Sequence, residues 1–491
     1  MRCSRPLGGL LVVAVAVCLA MAPVAQAGQL GKVYASDGVA GMNFGSAAGI
    51  SGNTIVVGAT DVYVGEQRLG AAYVYTNNGA SDWGGEVKLF PTDTTGIGDF
   101  GNGVAIDGDT IIIGANKSTV GGVEGAGTAH IFESDGFGGW TEVAVLTAGL
   151  DAISDIGFGT TVAISGDVAV VGASRYDEAS SNQGAVYVFG RDEGGTNNWG
   201  QITRLTASDP SNNAYFGVGV DVDGDTAITG AYGASKVYIL GNDPLGWAEM
   251  TSIASTSGTR FGIDVSIDGD TVVSGAYYRT IDGTSRAGGA SIFSRDQGGE
   301  NAWGEVADIV SPHGEANGYF GRSVTIDAGM IVAGAYGEDA GGVVDAGAAY
   351  VFRDDGSYLG MLLPDDPAEG DSFGRMVAIS GDTIVVTATV GDGVVDDTGA
   401  VYIYSIPTPI PGDTNGDNAV DADDAAVLAA HWLQQVFGGA TDGDFNKDRV
   451  VDDLDVAILA ANWHPNDGAP VPEPGVCVLL LSALAVLWRL R

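Results

Sequence analysis

Along residues 29–405 the apolar positions fall in short runs separated by polar turns, not at the spacing of one helix face. The stretch "FGNGVAIDGDTIIIGAN", from Phe100 to Asn116, shows the plan. Val104 to Ile106 is followed by Asp107-Gly108-Asp109, then by Ile111 to Ile113 and Gly114-Ala115. Asp-Gly between two apolar runs predicts a hairpin, because Gly takes positive φ at no steric cost. The same plan returns as "FGTTVAISGDVAVVGAS" from Phe158 and "FGIDVSIDGDTVVSGAY" from Phe261.

The opening Phe-Gly pair occurs at Phe44, Phe100, Phe158, Phe216, Phe261, Phe320 and Phe373, with 45 to 59 residues between successive copies. Each of the seven units adds a third apolar piece, such as "AVYVF" (Ala185 to Phe189), and the first six add a fourth that opens on an aromatic. Those aromatics are Trp83, Trp140, Trp199, Trp247, Trp303 and Tyr358. Four short antiparallel strands repeated seven times predict an all-β fold, a seven-bladed β-propeller. A β-solenoid would need a constant rung of about 20 to 30 residues, which the spacing lacks. Small Gly-Ala pairs suit inner strands that crowd toward an axis, and the Phe and Trp positions suit the wedges between blades. The seventh unit stops after "AVYIY" (Ala400 to Tyr404), without a fourth strand. "QLGKVYASD" (Gln29 to Asp37) resembles "RLTASD" (Arg204 to Asp209), so Leu30 to Ala35 is expected to pair beside Val401 to Tyr404 and close the ring.

These repeats resemble the FG-GAP proteins, whose better-known members form the integrin-alpha propeller, over residues 28–405. Integrin-type blades often carry an Asp-rich calcium loop between their first two strands. Here that place holds only "IDGDT", "ISGDV" or "VDGDT", too short to surround calcium with oxygens, so it reads as a hairpin turn.

A Pro-rich linker (406–412) leads to "DTNGDNAVDADDAAVLAAHW" (Asp413 to Trp432), repeated as "DFNKDRVVDDLDVAILAANW" (Asp444 to Trp463) with 11 of 20 aligned positions identical. Oxygens fall at loop positions 1, 3, 5, 9 and 12: Asp413, Asn415, Asp417, Asp421 and Asp424, then Asp444, Asn446, Asp448, Asp452 and Asp455. Backbone carbonyls would come from Ala419 and Val450. This is the EF-hand order, which suits calcium better than magnesium. Two features depart from it: position 6 is Asn418 and Arg449 instead of Gly, and position 12 is Asp instead of Glu. With one helix after each loop, residues 413–466 resemble a type I dockerin, a small α-helical domain. Val427, Leu428 and Trp432 match Ile458, Leu459 and Trp463 and would pack the two helices together. Dockerins bind cohesins, but Ala422-Asp423 and Asp453-Leu454 stand where that recognition commonly has a Ser/Thr pair, which argues against a cohesin partner.

The two ends of the chain point to export. Arg2 and Arg5, an apolar run from Leu10 to Met21 and "AQA" (Ala25 to Ala27) read as a signal peptide over 1–27. At the other end, Val-Pro-Glu-Pro, the apolar run Val476 to Trp488 and the arginines Arg489 and Arg491 resemble a PEP-CTERM sorting signal over 467–491, which an exosortase removes. The expected destination is the cell surface, outer envelope or matrix. Cys3, Cys18 and Cys477 all lie in these segments, so the mature body has no disulfide. With 62 acidic and 21 basic residues the net charge is −41, which disfavours nucleic acid as a partner.

No Gly-x-Ser-x-Gly elbow occurs, and none of His130, His313, His431 and His464 has a sequence neighbour at metal or triad spacing. The placeable aromatics fall at blade-packing positions, and the acidic loop "GEDAGGVVDAG" (Gly337 to Gly347) reads as a solvated turn. The clearest breaches of the repeat are the short interval Phe216 to Phe261 and the turn "IDAGM" (Ile326 to Met330). The favoured reading is a non-catalytic scaffold that binds a surface protein or polysaccharide on one propeller face, with a calcium-stabilised C-terminal module. The alternative is a propeller glycoside hydrolase or lyase attached through that module.

Overall fold

The computed structural model describes residues 28–79, 82–255, 260–299, 302–391, 393, 395–406, 420, 422–431, 445 and 450–461. Seven antiparallel four-stranded sheets form the seven expected blades. Their innermost strands are Phe44–Ser51, Phe100–Asp107, Phe158–Ser165, Val220–Asp223, Val265–Asp268, Val324–Asp327 and Phe373–Ser380, and the blades are numbered 1 to 7 in that order. Each innermost strand packs against the next, and the last packs against the first. The ring is therefore closed.

Closure comes from the chain start. Gln29–Val33 is the fourth strand of blade 7, antiparallel to Ala400–Ser405, with Lys32 opposite Tyr402 and Val33 opposite Val401. The strand begins one residue earlier than expected and ends at Val33, short of Ala35.

The repeated glycines mark a backbone seam. A Cβ on Gly114 would lie 1.9 Å from the carbonyl oxygen of Gly159, and the same holds for Gly58 against Gly101 and Gly275 against Gly321. The Gly of each Gly-Ala pair thus touches the Gly of the next blade's Phe-Gly pair, so the inner strands approach more closely than side chains allow. The adjoining phenylalanines are fully buried. Each fills its wedge edge-on to a ring in its own third strand, as Phe158 does to Tyr187 at 5.3 Å and Phe373 to Tyr402 at 5.4 Å.

The short turns do more than reverse the chain. The amide of Gly108 donates to Ser51 Oγ of the preceding blade at 3.0 Å, Gly166 to Asp107 Oδ2 at 2.7 Å and Gly269 to Asp223 Oδ2 at 2.8 Å. The Ser or Asp that ends each of these strands caps the next blade's turn. In "IDAGM" both Ala328 and Gly329 have positive φ, so blade 6 turns in a different hairpin type.

At three junctions a second link joins blades at their outer edge. The segment leaving one blade gives an Asp to the tyrosine in the next blade's third strand. Tyr73 donates to Asp37 at 2.9 Å, Tyr238 to Asp209 at 2.7 Å and Tyr402 to Asp366 at 2.7 Å. A lysine completes each link: Lys88, Lys236 and Lys32 respectively. The likeness of "ASD" at Asp37 and Asp209 is thus a likeness of contacts.

Beyond the propeller, the described residues form two short helices, Ala422–Ala430 and Asp453–Ala461. Val420, Leu428, Val451, Val456 and Leu459 make a small apolar cluster. Leu428 and Leu459 are buried as expected, Val427 and Ile458 half-buried. The expected signal peptide (1–27), linker residues 407–412, Trp432, Trp463 and the tail 467–491 lie outside the described residues.

Candidate ligand-binding mouth

Because the strands alternate in direction, one end of the ring carries the start of every innermost strand, the loop between second and third strands and the blade-to-blade connections. Three repeat positions surround the axis there: the residue before Phe-Gly, the residue after Gly-Ala and the second residue after Phe. In blades 1 and 2 the first two of these are Asn43 with Thr60 and Asp99 with Asn116; in blade 7 they are Ser372 with Thr389. Blades 4 to 6 differ. There the pairs are Tyr215 with Tyr232, Arg260 with Tyr277 and Tyr319 with Tyr336. The third position is Arg322 in blade 6 and Arg375 in blade 7.

These side chains form one continuous band. Tyr215 stacks on Tyr232 at 4.9 Å and Tyr319 on Tyr336 at 5.0 Å. Tyr278 lies 5.8 Å from Tyr319 and 4.3 Å from Tyr277. Arg260 sits over Tyr232 at 4.3 Å and over Tyr278 at 5.5 Å, Arg322 over Tyr277 at 5.7 Å and Arg375 over Tyr336 at 4.9 Å. Arg286 adds a contact to Tyr278 at 5.1 Å. All but exposed Arg286 are half-buried.

Among the described residues, exposed Arg175 and Arg353 have no carboxylate within 4.0 Å, but the half-buried arginines outside the mouth do. Arg191, Arg204, Arg279 and Arg295 each pair with a carboxylate. Among the described residues, no carboxylate lies within 4.0 Å of Arg260, Arg286, Arg322 or Arg375. Burial and the neighbouring Arg322 charge pull the Arg375 guanidinium below its ordinary range. Burial pushes the Tyr277 and Tyr336 phenols up.

The backbone is strained at the same place. The residue before Phe-Gly has φ near +60°, which Asn43, Asp99 and Ser372 tolerate easily. Tyr215, Arg260 and Tyr319 hold it at +58°, +69° and +56°. A bulky side chain there costs about 1 kcal/mol or more.

Arg322 and Arg375 line a cavity of about 370 Å³ together with Asn43, Asn102, Thr160 and Asp264. A second cavity of about 260 Å³ along the axis shares Asn102, Thr160 and Asp264 and adds Asp221. Burial pushes Asp221 up to about 6 against the amides of Ile267 and Val222 and the Ser266 hydroxyl, which pull it down. Burial also raises Asp264, whose Oδ2 accepts from the Val324 amide at 2.9 Å. Both carboxylates hold adjacent inner strands together.

The histidines need a correction. His130 does have partners: Nδ1 lies 2.5 Å from Glu142 Oε1, Nε2 lies 2.8 Å from Thr128 Oγ1, and Thr128 Oγ1 donates to Ser118 Oγ at 3.0 Å. Thr128 lies two residues from His130 on the same strand, while folding brings Glu142 from the neighbouring strand and Ser118 from a loop. Ser118, Thr128 and His130 are buried, and His130 stands where blades 1, 3, 4, 6 and 7 place tyrosine, edge-on to Phe100 at 5.3 Å. The group has no surface for a substrate. His313 Nδ1 lies 2.9 Å from Tyr350 Oη. Tyr350 also donates to Glu338, a buried residue of the 337–347 loop, so at Glu338 that loop is core and not solvated turn.

Among the described residues no group of three or more His, Cys, Asp or Glu could hold a metal. Of the expected calcium ligands, Asp413, Asn415, Asp417, Ala419, Asp421, Asp444, Asn446 and Asp448 lie outside the described residues. Asp424 and Asp455, at the twelfth position of each loop, are fully buried. Asp455 accepts from the amides of Phe445 at 2.6 Å and Asp452 at 2.9 Å, so it holds the loop to its helix. Asp452 caps Leu454 at 2.9 Å.

The sequence did not reveal the mouth, because its tyrosines and arginines look like ordinary repeat variation. Aligning the seven residues that precede Phe-Gly would have found it. Tyrosine and arginine there are costly choices for a left-handed backbone.

A closed ring of seven blades with a varied mouth is the architecture of a β-propeller. The chain belongs to the FG-GAP repeat family, which matches it at residues 28–75, 83–132, 140–189, 199–243, 248–293, 303–352 and 359–404. Each match runs from the outer strand of one blade to the third strand of the next. No curated protein matches the sequence.

Proposed function

We propose that the protein is an exported, non-catalytic scaffold of the cell surface or matrix whose propeller holds a surface protein or polysaccharide at this mouth. The observation that carries the reading is the departure from the repeat in blades 4 to 6, which gathers tyrosine and arginine but adds no nucleophile and base. The signal-like start and the PEP-CTERM-like tail support export and processing by an exosortase. A cohesin partner has little support, for want of the Ser/Thr pair.

The C-terminal module is proposed to bind two calcium ions through Asp413, Asn415, Asp417, Ala419, Asp421 and Asp424, and through Asp444, Asn446, Asp448, Val450, Asp452 and Asp455. Hard oxygen donors fit that ion, and the inward placement of Asp424 and Asp455 agrees with a ligand at the twelfth position. Calcium would neutralise the crowded carboxylates and hold each loop against its helix.

One observation favours the enzyme reading: Asp264 shares a cavity with Arg322 and Arg375. Its bond to the Val324 amide argues for a structural role. Incubating the protein with a panel of polysaccharides and esters should give binding without turnover. Reproducible hydrolysis or elimination, abolished by Asp264→Asn, would establish the enzyme instead.

A further inference from the structure

We infer that the mouth takes an acidic polysaccharide, its carboxylate or sulfate groups held by Arg260, Arg322 and Arg375 and its sugar rings by the flanking tyrosines. The inference rests on the scaffold reading and specifies its ligand. In a chain of net charge −41, carboxylates are the commonest available partners, yet these arginines are stacked on rings with none within 4.0 Å among the described residues. Arg322 and Arg375 also line one cavity, where their like charges outnumber the one carboxylate present, Asp264, which is engaged with the Val324 amide. A guanidinium laid flat on an aromatic ring keeps its N–H edge free, and that edge meets a carboxylate or sulfate in bidentate fashion.

The rest of the mouth suits a sugar polymer better than the other polyanions. Asn43, Asn102 and Thr160 line the same cavity and offer amide and hydroxyl partners for sugar hydroxyls. Each innermost strand pairs on one side only and its other edge faces the axis, so an acidic peptide is the competing occupant that poly-glutamate tests below. The acidic body repels every polyanion, so affinity must come from the mouth itself, and duplex DNA keeps its bases stacked inside the helix, away from the tyrosines. Left-handed backbone at Arg260 adds a local cost that a smaller residue would avoid.

The test uses the full mature chain in affinity electrophoresis and calorimetry. The probes are polygalacturonate, dextran sulfate, neutral dextran, poly-glutamate and duplex DNA. Polygalacturonate or dextran sulfate should bind, neutral dextran should not, and the two anionic glycans distinguish carboxylate from sulfate. Raising salt from about 0.05 to 0.5 M should weaken binding severalfold. Arg322→Ala with Arg375→Ala should lower affinity at least about tenfold. Arg260→Glu, checked by an unchanged melting profile, should do the same if the pair disturbs folding. Arg353→Ala, on an exposed residue at the opposite end, should bind as wild type does. No binding of either anionic glycan, unchanged affinity in folded Arg260→Glu protein, or tighter binding of poly-glutamate or DNA would overturn the inference. Turnover of a probe would instead overturn the scaffold reading, leaving the site in place.

Discussion

The Lys32 ammonium lies 2.7 Å from the Asp366 carboxylate, 334 residues along the chain, and Tyr402 donates to the same carboxylate. This contact joins the start of the propeller to its end. Deleting residues 28–36 would remove the outer strand of blade 7 and leave Ala400–Ser405 as an open edge. The shortened protein should melt lower and associate, as light scattering would show. The ion pair alone contributes little, because Asp366 is half exposed: Lys32→Ala should cost less than about 1 kcal/mol. If the deletion melts as the full propeller does and stays monomeric, the closure account fails.

Gly114→Ala should be among the most damaging small substitutions. Its Cβ would meet the Gly159 carbonyl oxygen at 1.9 Å, and both sides of the clash are backbone. A loss of about 3 kcal/mol or more in urea unfolding is expected. Gly84→Ala is the comparison, since its nearest neighbour is the Asn78 side chain at 3.4 Å, and it should cost less than about 1 kcal/mol. Equal midpoints for the two variants would contradict the seam.

Stability should depend on pH through Glu338. Burial pushes its carboxyl up from 4.5 to about 7, against the pull of its hydrogen bonds to Ser311 and Tyr350. The folded protein therefore holds that proton more tightly than the unfolded chain. The resulting stability is complete below about pH 4.5 and is lost as pH rises through about 7. Glu338→Gln keeps the shape and removes the titration. Between about pH 5 and 8 wild type should lose roughly 2 kcal/mol more than the variant in chemical unfolding. Parallel pH profiles would place the proton elsewhere.

Calcium should bind the full chain at two unequal sites. The loop with Asn418 at its sharp turn should be the tighter, because Arg449 fits a left-handed backbone less well. Asp424→Asn should weaken the first site about tenfold or more, and Asp455→Asn the second. Titration calorimetry reads both. No heat on adding calcium to chelator-treated protein would count against the module.

The fold was legible because a propeller repeats its instructions. Phe-Gly, the Asp-Gly turn and Gly-Ala are local demands of wedge, turn and seam, so seven copies of them spell seven blades without any knowledge of contacts. The missing fourth strand in unit seven and the spare strand at Gln29 were legible by the same count. The mouth was not. Tyr232, Arg260 with Tyr278, and Tyr319 lie in three successive units, and only the curvature of the ring brings them within ring-stacking distance. His130 and Glu142 likewise meet across two strands that no spacing rule connects. The sequence by itself determined the repeat, the closure and the blade number, because each follows from short-range sterics. Only the tertiary structure decided which variable positions face one another, because that depends on the angle between blades, a property of the whole ring.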